Sequence, residues 1–326
     1  MKQQGMALLI TLLILGLMAG LAADMTTRFQ TSLRRIGQEE NILQQQWDFR
    51  VAETQALSIL QQDLTDNPQG STRDQYWAQS RTLHLKHDAT VSWQLRSAQN
   101  CFNLNALAHP PLEALEEPPY ASAVFQALLE QNGVSTLNAK ILIASIADYI
   151  DSDDNLRRDG GEDSNYSDKP LRYVANQPFF DISELRAIKG MTPGLYQKLS
   201  PWLCAQGSSK LEINVNALTQ DNAPLLAALL LNEQDVDSVR RFLSTAPKSG
   251  WKSVQELTAA AIQAWPTHKE ALTMLDKALV TSSNFFTLTS RQQRNGRMVV
   301  QRSEIYYQRK ERQLRIYARY AVAGDR

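Results

Sequence analysis

The chain has 326 residues, room for two or three domains and a sizeable core. Lys plus Arg and Asp plus Glu each number 34, so the formal net charge is zero. That balance excludes general nucleic-acid binding and a polybasic membrane-surface protein, both of which need a positive excess. Hydrophobic residues are 43% and charged residues 21%, a globular composition, and two cysteines exclude a disulfide-dense scaffold or a four-cysteine zinc site.

Residues 6–23 read MALLITLLILGLMAGLAA, without charge or proline. As a helix this run spans about 27 Å, close to the hydrocarbon thickness of a bilayer. Three readings compete: a secretory signal removed near Ala22, an ordinary signal anchor, and a short leader MKQQG cleaved between Gly5 and Met6 with the apolar helix retained. The run continues without turn chemistry. From Arg28 to Leu64 there is no proline, and Phe29, Leu33, Ile36, Ile42, Leu43, Trp47, Val51, Leu57 and Leu60 recur near helical spacing. One helix from about Met6 to about Leu64 is predicted, half apolar and half amphipathic.

Turn-rich residues 65–76 end that helix. Thr82–Lys86 and Thr90–Leu95 alternate as a short hairpin, and Phe285–Ser290, Met298–Gln308 and Gln313–Val322 read as three more strands. Asn295-Gly296 supplies a tight turn between the first two of those. The pattern predicts an antiparallel sheet assembled from both ends of the chain. Between them, residues 105–280 are rich in Ala and Leu. They predict short helices at Ala121–Gln131, Leu137–Tyr149, Asp181–Ile188, Pro193–Leu203, Pro224–Leu231, Glu233–Ser244 and Val254–Gln263.

This middle region repeats. Phe102-Asn103-Leu104-Asn105-Ala106-Leu107 matches Ile213-Asn214-Val215-Asn216-Ala217-Leu218, and each copy is followed by a helix start carrying Glu-Leu, at Glu184-Leu185 and Glu256-Leu257. The first copy takes 79 residues from Asn105 to Glu184 and the second 40 from Asn216 to Glu256. The asparagines are expected to cap or bridge turns.

The surplus in the first copy largely coincides with an acidic stretch, residues 148–168, with eight acids against Arg157 and Arg158. Asp151, Asp153, Asn155, Arg157, Asp159 and Glu162 fall on places 1, 3, 5, 7, 9 and 12 of a calcium-loop pattern, with Leu156 where that pattern expects Gly. Clustered carboxylates repel one another, and a hard divalent cation offsets that cost. Calcium fits better than magnesium, which demands tighter geometry, or zinc, which prefers His and Cys. The candidate ligands are Asp148, Asp151, Asp153, Asp159, Glu162 and Asp163, with Asn176 and Glu184 as outer candidates, for one or two Ca2+ ions. Residues 184–194 are similar to a helix-hairpin-helix element, but Thr192 crowds the phosphate approach and the acidic stretch repels nucleic acid, so the element is read as packing. No G-x-S-x-G, H-E-x-x-H, Walker or C-x-x-C motif occurs, and no enzyme is expected.

The short basic leader ending in Gly5, the retained apolar run and the long amphipathic continuation resemble the pilin and pseudopilin family. Most of that family carry Glu at the fifth mature position, where this chain has Ile10. The missing Glu, the large helical insertion and its acidic loop make the chain similar to the K-type minor pseudopilins of type II secretion. The resemblance implies an α+β fold: a pilin-like long N-terminal helix packed on an antiparallel sheet, with a large inserted α-helical domain of two related units. It implies a leader at 1–5, a transmembrane half at 6–24, a pilin-like helix and first strands at 25–104, the insertion at 105–280 and closing strands at 281–326. It further implies a structural role in a tip complex with minor pseudopilins I and J that initiates and caps the pseudopilus for export of folded proteins. Other pseudopilins, the inner-membrane assembly platform and the prepilin peptidase, which also methylates the new N-terminus, are the remaining implied partners. The implied location is the inner membrane, single-pass, with the globular part in the periplasm. The family's calcium binding adds weight to the acidic loop. In that oxidising compartment Cys101 and Cys204, each just ahead of one repeat, form a disulfide or remain as two buried thiols. The competing functional reading is a soluble periplasmic calcium-stabilised binding protein or hydrolase with a removed signal peptide. A DNA-uptake pilin conflicts with the charge.

Overall fold

A proline-free run from Lys2 to Asp66 forms one 65-residue helix, α1, two residues longer at its C-terminal end than the periodicity indicates. The structure is a computed structural model that describes residues 2–68, 70–86, 89–108, 119–153, 155–157, 160–161, 174–267, 269–294 and 296–323. The N-terminal stretch of α1 is apolar enough to cross a membrane, and its described side chains from Leu8 to Met25 are exposed. Further along, Phe49, Ala52, Ala56, Leu60 and Leu64 recur every three or four residues and are buried against a sheet.

That sheet has five antiparallel strands in the order β1-β2-β7-β8-β9: β1 Arg81–His84, β2 Thr90–Ser97, β7 Phe285–Arg294, β8 Arg297–Gln308 and β9 Gln313–Ala323. Strands from both ends of the chain therefore share one sheet, as the alternation predicts. β7 and β8 turn over between Arg294 and Arg297, with Gly296 at φ +74°; Asn295, and His87 and Asp88 of the first hairpin, lie outside the described residues. Val91, Trp93, Leu95, Phe286, Leu288, Ile305 and Tyr307 face α1, and the Trp77 ring meets Phe286 edge-on at 5.2 Å.

A polar seam runs through the same interface. Glu53 takes a core position on α1. Its carboxylate accepts from Ser303 Oγ (2.6 Å), Gln301 Nε2 (2.9 Å) and both Arg319 Nε (2.9 Å) and Nη2 (3.1 Å). Burial pushes the Glu53 carboxyl up, but Arg319, Ser303 and Arg50 outweigh burial and hold it below the usual value. Asp48 accepts from Gln292 Nε2 at 2.7 Å. Walking α1 from Asp48 through Glu53 to Leu64 thus corresponds to walking β7 from Gln292 towards Phe286. The register of helix on sheet is set by both polar and apolar contacts.

The insertion leaves the sheet between Ser97 and Phe285. It contains α2 Tyr120–Gln131, α3 Thr136–Ile150, α4 Pro193–Leu199, α5 Ala223–Leu229, α6 Val236–Ser244, α7 Val254–Ala264 and α8 Lys269–Met274. It also holds two parallel two-residue pairs, β3 Phe102–Asn103 with β4 Leu203–Cys204, and β5 Ile213–Asn214 with β6 Leu279–Val280. Its core is separate from that under α1. Beyond shifts of one or two residues at helix ends, such as α5 finishing at Leu229 rather than Leu231, three segments differ from the periodicity and one helix is additional. Residues 193–203 divide into α4, a 3-10 turn at Ser200–Trp202 and β4, because Pro201 cannot extend α4's hydrogen bonding. Ile182–Ala187 is 3-10 rather than α. α6 starts at Val236, where Asp235 caps Ser238 N. The six-residue α8 was too short to register as a periodicity.

The two bodies meet at a buried polar junction. Gln99 Oε1 accepts from Asn284 N (2.6 Å), its Nε2 donates to Glu212 O (3.1 Å), and its own carbonyl accepts from Asn214 N (2.7 Å). Asn214 Nδ2 donates to Ser71 O (2.9 Å) and Ser283 Oγ (2.8 Å). Each such bond contributes about 1 kcal/mol net, and more is lost when one partner is left buried and unmade.

Candidate functional site

The repeat motifs build the frame around the acidic stretch. In each copy the first asparagine sits at φ −77°, ψ 113° and opens a short 3-10 turn, its side-chain oxygen accepting the backbone N–H two residues on: Asn103 from Asn105 (3.3 Å), Asn214 from Asn216 (2.9 Å). The second asparagine clamps a distant aromatic residue by its main chain. Asn105 accepts from Phe179 N (2.7 Å) and donates to Phe179 O (2.9 Å); Asn216 accepts from Trp251 N (2.7 Å) and donates to Trp251 O (3.0 Å). A capped turn follows each clamp, with Glu184 Oε1 taking Asp181 N and Phe180 N, and Glu256 Oε2 taking Lys252 N. Gly250, at φ +76°, lies so near Asn216 that a Cβ there would come within 2.8 Å of Oδ1.

Phe179 stacks on Tyr149 at 5.1 Å between ring centres, which fixes the last turn of α3 where the acidic stretch begins. Asp148 is fully buried on that turn. Its carboxylate accepts from Arg157 Nη1 (2.6 Å), Arg157 N (3.3 Å) and Gly161 N (2.8 Å). The chain can double back so tightly because residue 160 is Gly: a Cβ there would lie 2.0 Å from Asp148 Oδ2. Arg157 also pairs with Asp151, the residue that closes α3 with its N–H on Ala147 O (3.0 Å). Burial alone would lower the guanidinium, but Asp148 and Asp151 hold it above its usual value. Burial also pushes the Asp151 carboxyl up, and Arg157 only partly reverses this. The cation sits beyond the C-terminus of α3, where the helix dipole favours positive charge.

Of the predicted ligands, the structure thus brings Asp148 and Asp151 together on one guanidinium. Asp153 Oδ1 accepts from Asn155 N (2.8 Å) in a local turn, Asn176 adopts φ +47°, and Glu184 serves the capped turn. Asp159, Glu162 and Asp163 lie outside the described residues, among which no three acid, His or Cys side chains gather to hold a metal. Among the described residues, Asp151 Oδ1 is buried without a hydrogen-bond partner, an acceptor position that a hard cation fits. Asp148, saturated by N–H donors, acts as the anchor of the loop. Two residues that carry the geometry escaped the sequence reading as such: Arg157, placed in the pattern as a ligand position, and Glu53, whose signal was a charge on the apolar face of α1.

Cys101 and Cys204 form a disulfide with their Cα atoms 5.8 Å apart, beside the β3–β4 pair. It closes the first repeat unit at both ends.

A long helix carrying an antiparallel sheet, with two asparagine-clamped helical units inserted between strands β2 and β7, defines a pilin-like α+β protein. Two family models described as type II secretion system (T2SS), protein K match residues 100–208 and 213–282, the spans of the two units. The chain is 42% identical to the putative type II secretion system protein K of Escherichia coli K12, covering 98% of each. It is 34% identical to type II secretion system protein K of Klebsiella pneumoniae, over 94% of this chain and 98% of the relative. The crystal structure of the GspK–GspI–GspJ complex from the enterotoxigenic Escherichia coli type 2 secretion system contains a chain that matches with TM-score 0.78 and 31% identity. That match covers 89% of this chain and all of the other. The chain belongs to the type II secretion system protein K family.

Proposed function

We propose that this chain is the minor pseudopilin that initiates and caps the pseudopilus, a structural role without catalysis, held by a single inner-membrane helix with its globular part in the periplasm. The observation that carries this reading is where the insertion leaves the sheet. The Ser97 and Phe286 pair lies at the end where α1 finishes, beside Trp77, while Gln292 lies towards the membrane half. A bulky helical body at the membrane-distal end blocks addition of another subunit beyond it.

Assembly partners of the minor pseudopilin class, I and J, have a surface to use. Met25, Phe29, Leu33, Ile36, Leu43 and Trp47 are exposed. At 100° per residue they form one stripe on the side of α1 opposite Phe49, Ala52 and Ala56. Parallel helices of neighbouring subunits would bury it. Export of folded proteins follows from the filament, not from a pocket in this chain. Maturation by a prepilin peptidase after Gly5, with methylation of Met6, and docking on the inner-membrane platform belong to the same reading.

The test is co-purification from membranes with its I and J partners. Leu43→Asp or Trp47→Asp is expected to abolish the complex and secretion while leaving the unfolding of the globular part unchanged. A complex that survives both would overturn the helix-stripe assembly. Intact mass gives a second check: a start at Met6 plus one methyl group is expected, whereas a start near Ala23 would leave a soluble periplasmic protein.

Calcium at the acidic loop is the second element of the proposal. The buried Asp151 Oδ1, without a hydrogen-bond partner among the described residues, and a local net charge of −6 support it. Titration of the purified chain with Ca2+ is expected to raise its thermal midpoint, and EDTA to reverse the rise.

A further inference from the structure

We infer that the free edge of β9, with the outer face of the β8–β9 hairpin beside it, is a second assembly surface. It takes an extended acidic strand from a laterally adjacent subunit.

Three observations carry this. First, the edge is long and open. β9 ends the strand order and is paired with β8 alone. It runs for 11 residues, Gln313–Ala323, without proline or glycine, about twice the length of an ordinary strand. The outward N–H and C=O groups of such an edge are a template for another strand. β1, at the opposite edge, has only four residues.

Second, apolar surface gathers at the same place. Among the described residues of the sheet, the exposed large apolar side chains are Met298 and Tyr306 of β8 and Tyr317 and Val322 of β9. Ile305 and Tyr307 face α1, so alternation turns Met298 and Tyr306 to the outer face, where the Tyr317 ring meets Phe285 at 6.4 Å. The exposed stripe of α1 points away from the sheet on the other side. A neighbour seated on that stripe leaves the β9 surface uncovered.

Third, the charge there has one sign. β9 carries Arg315 and Arg319 and no acid. Glu53 neutralises Arg319 and Glu311 pairs with Arg315, which leaves the exposed Lys310 and Arg312 as a positive surplus. A second copy on this edge would add positive charge to positive charge, whereas acidic side chains on an incoming strand complement it. The edge also has the right direction. α1 runs antiparallel to β7 and β9 runs parallel to β7, so the free edge follows the line of α1. A subunit whose α1 lies parallel to this one presents its own strands along that line.

The inference rests on the assembly reading and adds a contact to it. The protein is the full chain in detergent, alone and in complex with its I and J partners. Hydrogen exchange is expected to slow across Gln313–Ala323 in the complex and to stay unchanged at Arg81–His84. Lys310→Glu with Arg312→Asp is expected to weaken association about tenfold and to remove much of its salt dependence. Both side chains are exposed, so the thermal midpoint of the chain should hold. Val322→Asp should weaken association in the same way through the apolar half of the surface. A complex in which β9 exchanges as fast as in the free chain, or in which both variants assemble like the parent, would overturn the edge surface and leave the helix-stripe assembly standing. No complex with the parent chain would overturn the assembly reading and this inference with it. Protection of β9 that appears in the chain alone as its concentration rises would assign the edge to a second copy and overturn the acidic neighbour.

Discussion

The two helical units of the insertion share one frame and differ in how it is closed. Both open with a parallel pair of two-residue strands, an Asn-x-Asn turn and a clamp onto an aromatic residue's main chain. The first unit, from Phe102 to Cys204, spends 79 residues between its second asparagine and its clamp-side Glu; the second, from Ile213 to Val280, spends 40. The first is stapled by Cys101–Cys204, and the second has no cysteine. The second instead packs Phe242 against Trp265 at 4.9 Å and Trp251 at 6.2 Å within its short span. Ordering a longer loop costs more chain entropy, and a covalent closure offsets it. A frame of two asparagines is sufficient where the chain is short; where it also carries an acidic excursion, a cross-link supplements it.

Removing the staple is the strongest way to break this equivalence. Cys101→Ser with Cys204→Ser is expected to cost about 4–5 kcal/mol, the closure entropy of a loop of about 100 residues. Hydrogen exchange should show α2 and α3 losing protection while α5 to α7 keep theirs. Equal loss in both units would show that the Gln99–Asn214 junction couples them into one cooperative body.

Next in size are the clamps. Asn105→Ala and Asn216→Ala each strand a buried main-chain N–H and carbonyl, and each is expected to cost about 2–4 kcal/mol. In the oxidised protein the cost at Asn105 should be the smaller, because the disulfide still limits opening. After reduction the two should converge. Chemical denaturation of both variants with and without reductant measures this, and a difference that ignores reductant would sever the link between clamp and staple.

Glu53 provides a control outside the insertion. Its carboxyl is held below the ordinary value, so the stability it contributes is present above about pH 4.5 and is lost as pH falls through the lower folded value. Glu53→Gln is expected to cost about 1–3 kcal/mol at pH 7 and to flatten that acid limb. The exchange pattern should change in the sheet only. A pH profile parallel to the parent's would remove Glu53 from the acid response.

Much of this architecture is legible in the sequence because it rests on local period. The α1 helix and the five strands of the main sheet follow from apolar spacing, and the Asn-x-Asn copies from direct self-similarity. The clamp partners are not legible, since Phe179, Trp251 and Ser71 reach the asparagines from 35 to 143 residues away. The insertion's helix ends were displaced wherever a single residue overrode periodicity, as Pro201 and Asp235 do. At the acidic corner the residue types were visible, but the pairing of Arg157 depends on the chain doubling back at Gly160, which only the fold reveals. Ligand counting in one dimension treats Asp148 and Asp151 as equals, whereas three dimensions make one an anchor and leave the other an open acceptor.

The finest comparison concerns the capped turns. Asp181 accepts from Ser183 N (2.8 Å) and Glu184 reaches back to Asp181 N (2.9 Å), while Ser253 accepts from Glu256 N (3.1 Å) and Glu256 reaches back to Lys252 N (2.7 Å). Each cap is expected to contribute about 1 kcal/mol, so Asp181→Ala and Ser253→Ala should lower stability by similar small amounts. Their consequences should nevertheless differ. The first turn follows directly on Phe179, whose ring stacks on Tyr149 beside Asp148, so loosening it should also weaken Ca2+ binding at the corner. The second turn follows on Trp251 and has no acidic loop to position, so its loss should leave Ca2+ affinity untouched. Calorimetric titration of the two variants against the parent reads the distinction. Equal affinities in all three would show that the corner is positioned by α3 and Arg157 alone.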